Sequence, residues 1–390
     1  MNDSDVIKNS LQKWKIWTAI ALGVLVAAFM LHRSLNEIRF IKVKQGEGTH
    51  RWIDGNKNQV IDQSNTYDFT LSSDGDYKIE SITDVLSEIN WSSATFFWLF
   101  IALICMVGRD FFYMWRIRLL TNQQLSWKKS FSVIMLWEFA SALSPGVVGG
   151  AAVAMFILNK EKIALGRSTA IVIISTMMDN LFYVMMIPIT FLFINHVDLF
   201  PTHFGGSGAI EVVFWSGYSL IALAAILLFL AIFVWPQLSK KLLGGLFSLP
   251  FLKRWKVAAE QTGNDIITTS SEMRKEPIQN WIKVYLVTCG SWISRYLVIN
   301  SILQAFLNLS LYDHALVLGK QFVLWLFMLV SPTPGASGVA EYAFGELLIS
   351  FSSSALLLAG MAVIWRLISY FPYLFIGAWI LPRFVGKKNE

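Results

Sequence analysis

Long, predominantly apolar runs recur along the chain, and they restrict its fold more than any other feature. A helix of about 20 residues crosses a hydrocarbon layer ~30 Å thick. Inside such a layer the backbone must satisfy its own hydrogen bonds, which leaves helices and closed barrels. The sequence therefore predicts an all-α polytopic membrane protein with six spanning helices, at residues 14–31, 91–115, 168–194, 213–235, 281–309 and 355–381.

The overall composition fits this class and argues against several others. The chain is 55% hydrophobic and 15% charged, and its mean hydropathy is +0.53. The net charge of +6 is explained by the excess of Lys and Arg in cytoplasmic loops, so no nucleic-acid partner is expected. The two cysteines, Cys105 and Cys289, fall in apolar runs. We expect no disulfide framework, no metal site and no cofactor.

The charges of the polar loops predict the topology. Residues 236–280 are rich in Lys and Arg, whereas residues 195–212 contain neither. The N- and C-termini are then cytoplasmic in a bacterial-type inner membrane. We expect three regions: residues 1–92 with a retained first helix and an extracytoplasmic polar insert at 33–92, a first-repeat core at 93–194, and a second repeat at 195–390. Within the insert, the turn Ser-Ser-Asp-Gly predicts a β-hairpin between residues 67–71 and 76–80.

Two apolar stretches carry the same helix-breaking motif, Pro-Gly-x-x-Gly. The first has Pro145, Gly146 and Gly149 followed by Gly150, and the second has Pro334, Gly335 and Gly338 with Ser337 between them. Proline removes a backbone donor and glycine weakens a helix, so each motif should interrupt a helix at membrane depth. Non-helical backbone is tolerated there only beside protein or a watery cavity. The arms are short, which predicts two re-entrant hairpins, at residues 130–158 and 316–350.

The spacing of the two motifs predicts an internal repeat. They lie 189 residues apart, and the same shift carries the second span onto the fifth and the third onto the sixth. The loop charges place the first hairpin on the cytoplasmic face and the second on the outer face. We therefore expect an inverted-topology repeat with two opposed hairpins and a transport site between them. The alternative is that two similar breaks arose independently.

Charged side chains at membrane depth are the candidate site residues. Arg295 and Arg366 lie in the middle of their spans, where an arginine costs at least ~2.5 kcal/mol and usually has a partner. Glu138, Asp179 and Glu341 share this depth. Buried salt bridges that lock the bundle, such as Arg366 with Glu341 or Asp179, are the structural alternative to a functional role. Arg109 and Lys320 lie nearer the ends of their segments, so we expect both to reach the interface.

Each break also predicts an anion site. The second arm of each hairpin begins after Pro-Gly, so its free N–H groups and positive dipole end lie at the tip. Glycine allows a ligand to approach this backbone closely. Two such tips with arginines nearby would suit a phosphate or a carboxylate. A lipid could keep its tails in the bilayer while its head group crosses.

The residues at these positions resemble the membrane region of the lysylphosphatidylglycerol synthase/flippase family. The resemblance covers about residues 93–383 and rests on Trp115-Arg-Ile-Arg118, Leu143-Ser-Pro-Gly-Val-Val-Gly-Gly150, Leu165-Gly-Arg-Ser-Thr-Ala170, Pro332-Thr-Pro-Gly-Ala-Ser-Gly-Val-Ala-Glu341 and Arg366-x-x-x-Tyr370-x-Pro372. Such proteins translocate aminoacylated phospholipid, other members are thought to handle polyprenyl phosphates, and the synthase activity resides in a separate soluble domain. The resemblance implies a translocation module that is not an enzyme.

Three functions follow as hypotheses. The first is a translocator of an anionic or aminoacylated lipid head group, with a membrane lipid as partner. The second is a carrier of a small soluble anion coupled to a proton or cation, with Asp179 or Glu341 as the proton site. The third, a membrane-embedded enzyme acting on lipid phosphates, is disfavoured because the histidines lie in loops or at span ends. Glycine-rich helix faces are also compatible with a homo-oligomer.

Overall fold

The structure is a computed structural model that describes residues 40–55, 65–89, 91–144, 148–200, 207–246, 273–352 and 354–386, with isolated positions between these ranges. The predicted first span therefore lies outside the described residues, apart from three helical positions within it. Pro145 and Gly146 of the first break also lie outside them.

The polar insert forms a small antiparallel sheet in the order β1-β4-β2-β3. Its strands are β1 (Phe40–Lys42), β2 (Gly48–Trp52), β3 (Phe69–Gly75) and β4 (Tyr77–Ile79). The predicted hairpin between β3 and β4 is wrong, because β2 lies between them and pairs with both. The core of this sheet consists of Phe40, Phe69 and Tyr77, in which the ring of Phe69 stacks on Phe40 and meets Tyr77 edge to face. It is followed by the short helix α1 (Ile82–Glu88).

Among the described residues, five helices are long and apolar enough to cross a membrane: Ser93–Leu120, Leu165–Phe191, Glu211–Val234, Ile278–Phe306 and Ala355–Phe384. Each matches a predicted span within a few residues. In chain order the helices are α2 (Ser93–Leu120), α3 (Trp127–Leu143), α4 (Val148–Lys160), α5 (Leu165–Phe191), α6 (Ser207–Phe229, extended by a π-helical turn Leu230–Val234), α7 (Pro236–Leu246), α8 (Ile278–Phe306), α9 (Leu311–Val330), α10 (Val339–Leu348), α11 (Ala355–Ser369) and α12 (Phe371–Gly386). A one-turn helix, His196–Leu199, precedes α6.

The same order of helices occurs twice in the described chain. A long helix, a pair of helices on either side of a Pro-Gly motif and a further span occur first as α2–α5 and again as α8–α12, in which α11 and α12 together form the last span. Within each set, successive helices pack against each other. The two first members, α2 and α8, share the most extensive helix–helix contact of the described chain. Small residues permit this approach, since Gly108 lies against Ser294 and Gly290 against the ring of Phe112.

The last long helix is interrupted at Tyr370. The backbone of Tyr370 leaves the helical conformation (φ −123°, ψ −56°), which separates α11 from α12. Pro372 has no N–H to donate across this junction. The junction turns two tyrosines, Tyr370 and Tyr373, toward the interior, where both are almost fully buried.

In the first helix pair, Gly150 sets the distance between α3 and α4. A Cβ atom at this position would lie 2.0 Å from the Oγ atom of Ser141 and 3.0 Å from its Cα atom. The glycines of the first motif that the structure describes, Gly149 and Gly150, both lie in the first turn of α4. The close approach of two backbones is the physical reason for glycine here.

Candidate functional site

The second break is a tight, left-handed turn between α9 and α10. Gly335 and Gly338 have positive φ angles of 58° and 90°, and Ala336, between them, has a φ of 55°. The backbone N–H of Ser337 donates to the carbonyl of Pro334 over 3.1 Å. Glycine tolerates such backbone without steric penalty, which explains two of the three positions.

Glu341 folds back onto the start of α10. Its Oε2 atom accepts a hydrogen bond of 2.6 Å from the backbone N–H of Gly338. The positive end of this helix is therefore neutralised by a carboxylate of the protein itself. The open anion site predicted at this tip is not what the structure contains.

Arg366 of α11 holds the break together. Its Nε atom donates to Glu341 Oε1 over 2.7 Å, and its Nη2 atom donates to the carbonyl of Gly335 over 2.8 Å and to Ser337 Oγ over 3.3 Å. Both members of the ion pair are buried, with side chains 5% and 3% exposed. This pairing agrees with the predicted salt-bridge alternative for Arg366 and Glu341.

Tyr370 joins the second break to the first helix pair. The guanidinium of Arg366 lies 4.2 Å from the centre of its ring, and its hydroxyl donates to the carbonyl of Ala142 near the end of α3 over 3.3 Å. The ring also packs directly on Gly335. One tyrosine thus contacts both halves of the predicted repeat at their interruptions.

We expect Gly335→Ala to lower the free energy of unfolding by about 2 kcal/mol or more, because overpacking and a left-handed alanine each cost at least ~1 kcal/mol. The added Cβ atom would lie 2.2 Å from the Tyr370 ring. Gly360→Ala on α11 is the matched control, since a Cβ atom there meets nothing within 4 Å. Thermal unfolding of the purified protein in detergent measures the difference. Equal midpoints for the two variants would contradict this packing.

A second ion cluster surrounds Arg109, which sequence reasoning expected at the interface. Its side chain is 1% exposed and contacts Asp110 over 2.9 Å and Glu138 of α3 over 2.7 Å. Its Nη1 atom also donates to the hydroxyl of Tyr373, and that hydroxyl donates to Asp110 over 2.7 Å. The expectation was wrong because Arg109 faces α3 and α12 rather than the lipid.

A third cluster pairs Arg116 with Asp179 of α5. The Nη1 atom of Arg116 lies 2.5 Å from Asp179 Oδ1, and the indole N–H of Trp292 donates to the same oxygen over 2.8 Å. Arg116 is almost completely buried. It is therefore buried although it follows the predicted span 91–115, and Asp179 is paired with it rather than with Arg295 or Arg366.

The three clusters form one chain of contacts through tyrosine and tryptophan. Tyr373 lies one turn beyond Tyr370, and Tyr113 lies between Arg109 and Arg116, with its ring centre 4.4 Å and 4.6 Å from their guanidinium groups. Asp179 then connects Arg116 to Trp292. A buried polar path therefore runs from the second break across α12, α2 and α5 to α8.

Arg295 stands at the α8 end of this path and differs from the other three arginines. Its guanidinium lies 5.4 Å from the centre of the Trp292 ring. Among the described residues it has no ion pair and no hydrogen bond. Positions three, four and seven residues away on the same helix face are all buried, namely Thr288, Trp292, Ile299 and Ile302.

Arg295 is only half-buried, although its helix face points into the bundle. Part of the Arg295 side chain is therefore accessible from outside the packed helices. Beside it, the rings of Tyr183, Trp292, Tyr296 and Trp325 pack together, and Tyr183 stacks on Trp325 with centres 3.9 Å apart.

Lys320 is also more buried than expected. It is 3% exposed, and its Nζ atom donates to the carbonyl of Leu347 over 2.8 Å and to Ser350 Oγ over 3.0 Å. A cation at these last carbonyls stabilises the negative end of α10. Lys320 therefore fixes α10 against α9 instead of reaching the interface.

The structure brings only some of the predicted site residues together. Arg366, Glu341, Ser337 and Gly335 form one cluster, while Glu138, Asp179 and Arg295 lie at separate points of the polar path. Sequence reasoning missed Arg109, Tyr113, Arg116, Tyr370 and Tyr373 as a group. The signal that could have found the first three is their spacing, because positions i, i+4 and i+7 lie on one face of α2.

Comparison with known proteins agrees with this architecture. The model of the lysylphosphatidylglycerol synthase TM region matches residues 77–377, and the chain belongs to this family. It is 26% identical over 311 residues to a UPF0104 membrane protein of Archaeoglobus fulgidus, an alignment that covers 75% of this chain and 89% of that protein. No solved structure matches the chain. The family resemblance indicated by the Pro-Gly segments is confirmed.

Proposed function

We propose that this member of the lysylphosphatidylglycerol synthase TM region family translocates an anionic or aminoacylated lipid head group between leaflets. The lipid is of the phospholipid or polyprenyl-phosphate type. Its head group passes between the two broken-helix pairs, which we interpret as re-entrant hairpins from opposite faces, while its tails remain in the bilayer. The observation that carries this proposal is Arg295, a mid-span arginine with no carboxylate partner in the described chain.

The energetics of arginine in a membrane support this role. Arg109, Arg116 and Arg366 are each neutralised by carboxylates of the protein. An arginine at membrane depth without such a partner is expensive, so it marks a place where an anion binds. The planar guanidinium matches a phosphate with two parallel hydrogen bonds. The accessible part of the Arg295 side chain allows a phosphate to reach it.

The proposed orientation follows from the loops. Residues 236–280 with α7 lie in the cytoplasm, as do both termini, and the sheet of residues 40–79 lies outside. The membrane is the inner membrane of a bacterial-type cell. The α3–α4 pair then opens toward the cytoplasm and the α9–α10 pair toward the outside, which allows the polar path between them to be reached from either leaflet in turn.

Reconstituted vesicles test the proposal. The purified protein is placed in vesicles with head-group-labelled phosphatidylglycerol, and the label that reaches the opposite leaflet is measured by its chemical quenching. A parallel set of vesicles is given labelled phosphate and glycerol phosphate outside. Faster movement of the lipid label than in protein-free vesicles is expected. Uptake of the soluble anions without movement of lipid would replace the proposal with the soluble-anion carrier.

The ion pairs around Arg109 indicate where a proton that is coupled to lipid movement would bind. Asp110 and Glu138 share one arginine, whereas Asp179 and Glu341 each have an arginine of their own. Among the described residues, the groups that face this site are Arg109, Tyr113 and Tyr373, and none of them supplies a second positive charge. One carboxylate is therefore in excess, and we assign the coupling proton to the Asp110–Glu138 pair rather than to Asp179 or Glu341.

We expect Glu138→Gln to make lipid movement insensitive to an imposed proton gradient, because the pair then holds a single carboxylate matched to Arg109. Wild-type protein should respond several-fold to the same gradient. Glu346→Gln, a half-buried residue of α10 without an ion pair in the described chain, is the control. If Glu138→Gln responds to the gradient as the wild-type protein does, the Asp110–Glu138 pair does not carry the coupling proton.

A further inference from the structure

A cavity of about 350 Å³ lies where the end of α2 meets the beginnings of α5 and α8. Its polar and charged side chains come from the starts of α5 and α8, from the segment before α8 and from the turn after α2. Leu119, Leu120, Met273, Trp281 and Val284 supply its apolar part. Its volume is in the range of small-molecule sites.

The polar wall of this cavity consists mainly of donors. Arg167 at the start of α5 and Lys283 at the start of α8 have no ion pair or hydrogen bond within the described parts of the chain. The side-chain amides of Asn122 and Gln123 add further N–H groups. Among the described residues of the wall, the one carboxylate, Glu276, accepts a hydrogen bond of 2.7 Å from the Asn280 amide. Arg167 and Lys283 therefore outnumber the described carboxylates of this wall by two to one, which favours an anionic ligand.

The backbone beside these amides is held in a costly conformation. Asn122 and Gln123 both have positive φ angles, of 48° and 60°. Two consecutive left-handed residues other than glycine are uncommon, and such strain concentrates at binding sites. The turn is fixed by hydrogen bonds from their N–H groups to the carbonyls of Leu119 and Arg118. It presents both amides at the rim of the cavity.

The cavity also lies one helical turn from the buried polar path, along both α2 and α8. Leu119 and Leu120 are one turn from Arg116 on α2, and Val284 is one turn from Thr288 on α8. Arg116 contacts the hydroxyl of Thr288 over 3.4 Å, and that hydroxyl donates to the carbonyl of Val284 over 2.8 Å. Along α8, Lys283 is about 18 Å from Arg295 at 1.5 Å per residue.

We infer that this cavity is a separate binding site for a phosphate group, the first station that a head group occupies before it reaches Arg295. The inference rests on the proposed function for the identity of the ligand as a lipid, but the site itself needs only an anion. Arg167 and Lys283 bind the phosphate, and the apolar wall with Trp281 accommodates the adjoining glycerol or acyl carbons.

Binding to the full-length protein in detergent tests this site without transport. The probes are dihexanoyl phosphatidylglycerol below its micelle concentration, inorganic phosphate and glycerol phosphate, and the signal is the change in tryptophan fluorescence. Arg167→Gln and Lys283→Gln should each weaken binding at least tenfold. Trp281→Phe should remove the signal while binding measured by calorimetry persists. Lys128→Gln, an exposed lysine outside the cavity, should leave the affinity unchanged.

The outcomes separate the ligand sources and the two proposals. Saturation by the short-chain lipid alone assigns a lipid head group, whereas equal saturation by phosphate assigns a soluble anion. Unchanged affinity in both Arg167→Gln and Lys283→Gln would overturn the cavity site and leave the translocation proposal standing. Binding that persists in a protein unable to move lipid in vesicles would retain the site and reject the translocation proposal.

Discussion

Lipid movement in reconstituted vesicles is expected to fall by roughly 10- to 100-fold when Arg295 is replaced by glutamine. A hydrogen bond to a charged group contributes ~1.5–3 kcal/mol, and 1.4 kcal/mol corresponds to a factor of ten. Glutamine removes the positive charge and the planar fork that matches a phosphate. Since Arg295 has no ion pair in the described chain, no carboxylate is left without a partner by its loss. The variant should therefore fold and reach the membrane.

The control for this experiment is Arg383→Gln. Arg383 also lies over a tryptophan of its own helix, with its guanidinium 4.3 Å from the Trp379 ring, but it is exposed near the end of α12. It matches Arg295 in residue type and ring contact but not in position. Arg295→Lys adds a second comparison, because it keeps the charge and loses the fork. Full lipid movement in folded Arg295→Gln would disprove the role of this residue as a head-group ligand.

The largest loss of stability is expected for Glu341→Gln, at about 3–5 kcal/mol. Removing one partner of a buried ion pair leaves an uncompensated charge in a medium that solvates it poorly. Arg366 is 4% exposed, and after the change its partners, namely the carbonyl of Gly335, the hydroxyl of Ser337 and the amide oxygen that replaces the carboxylate, carry no negative charge. The thermal unfolding midpoint and the monodisperse fraction after detergent extraction measure the effect.

Glu346→Gln is the matched control on the same helix, since Glu346 is half-buried and has no ion pair in the described chain. If both variants unfold alike, the ion pair does not hold the second break. The double variant Glu341→Leu with Arg366→Met removes both charges and should regain much of the stability. If this folded double variant moves lipid normally, the ion pair has a structural role only. If it folds but no longer moves lipid, the ion pair also takes part in transport.

Much of the helical architecture was predictable because a membrane imposes lengths. The predicted spans at 91–115 and 281–309 correspond to helices Ser93–Leu120 and Ile278–Phe306. Pro334 and Gly335 were predictable as a break because they disfavour helix in any surroundings. The β-hairpin prediction was wrong because strand pairing, unlike a helix break, depends on the surroundings. The partners of a strand are decided by tertiary contacts, and β2 ends 17 residues before β3 begins.

The sequence by itself determined that this chain lies in a membrane, where its helices break, and which family it resembles. Only the tertiary structure decided which charges pair. Arg109 and Arg116 lie on one face of α2, yet sequence position could not show that this face meets α3, α5 and α12 rather than lipid. Burial changes the energy of a charge by several kcal/mol, and burial is a property of packing. The difference between paired Arg366 and unpaired Arg295 therefore became visible only in the folded protein.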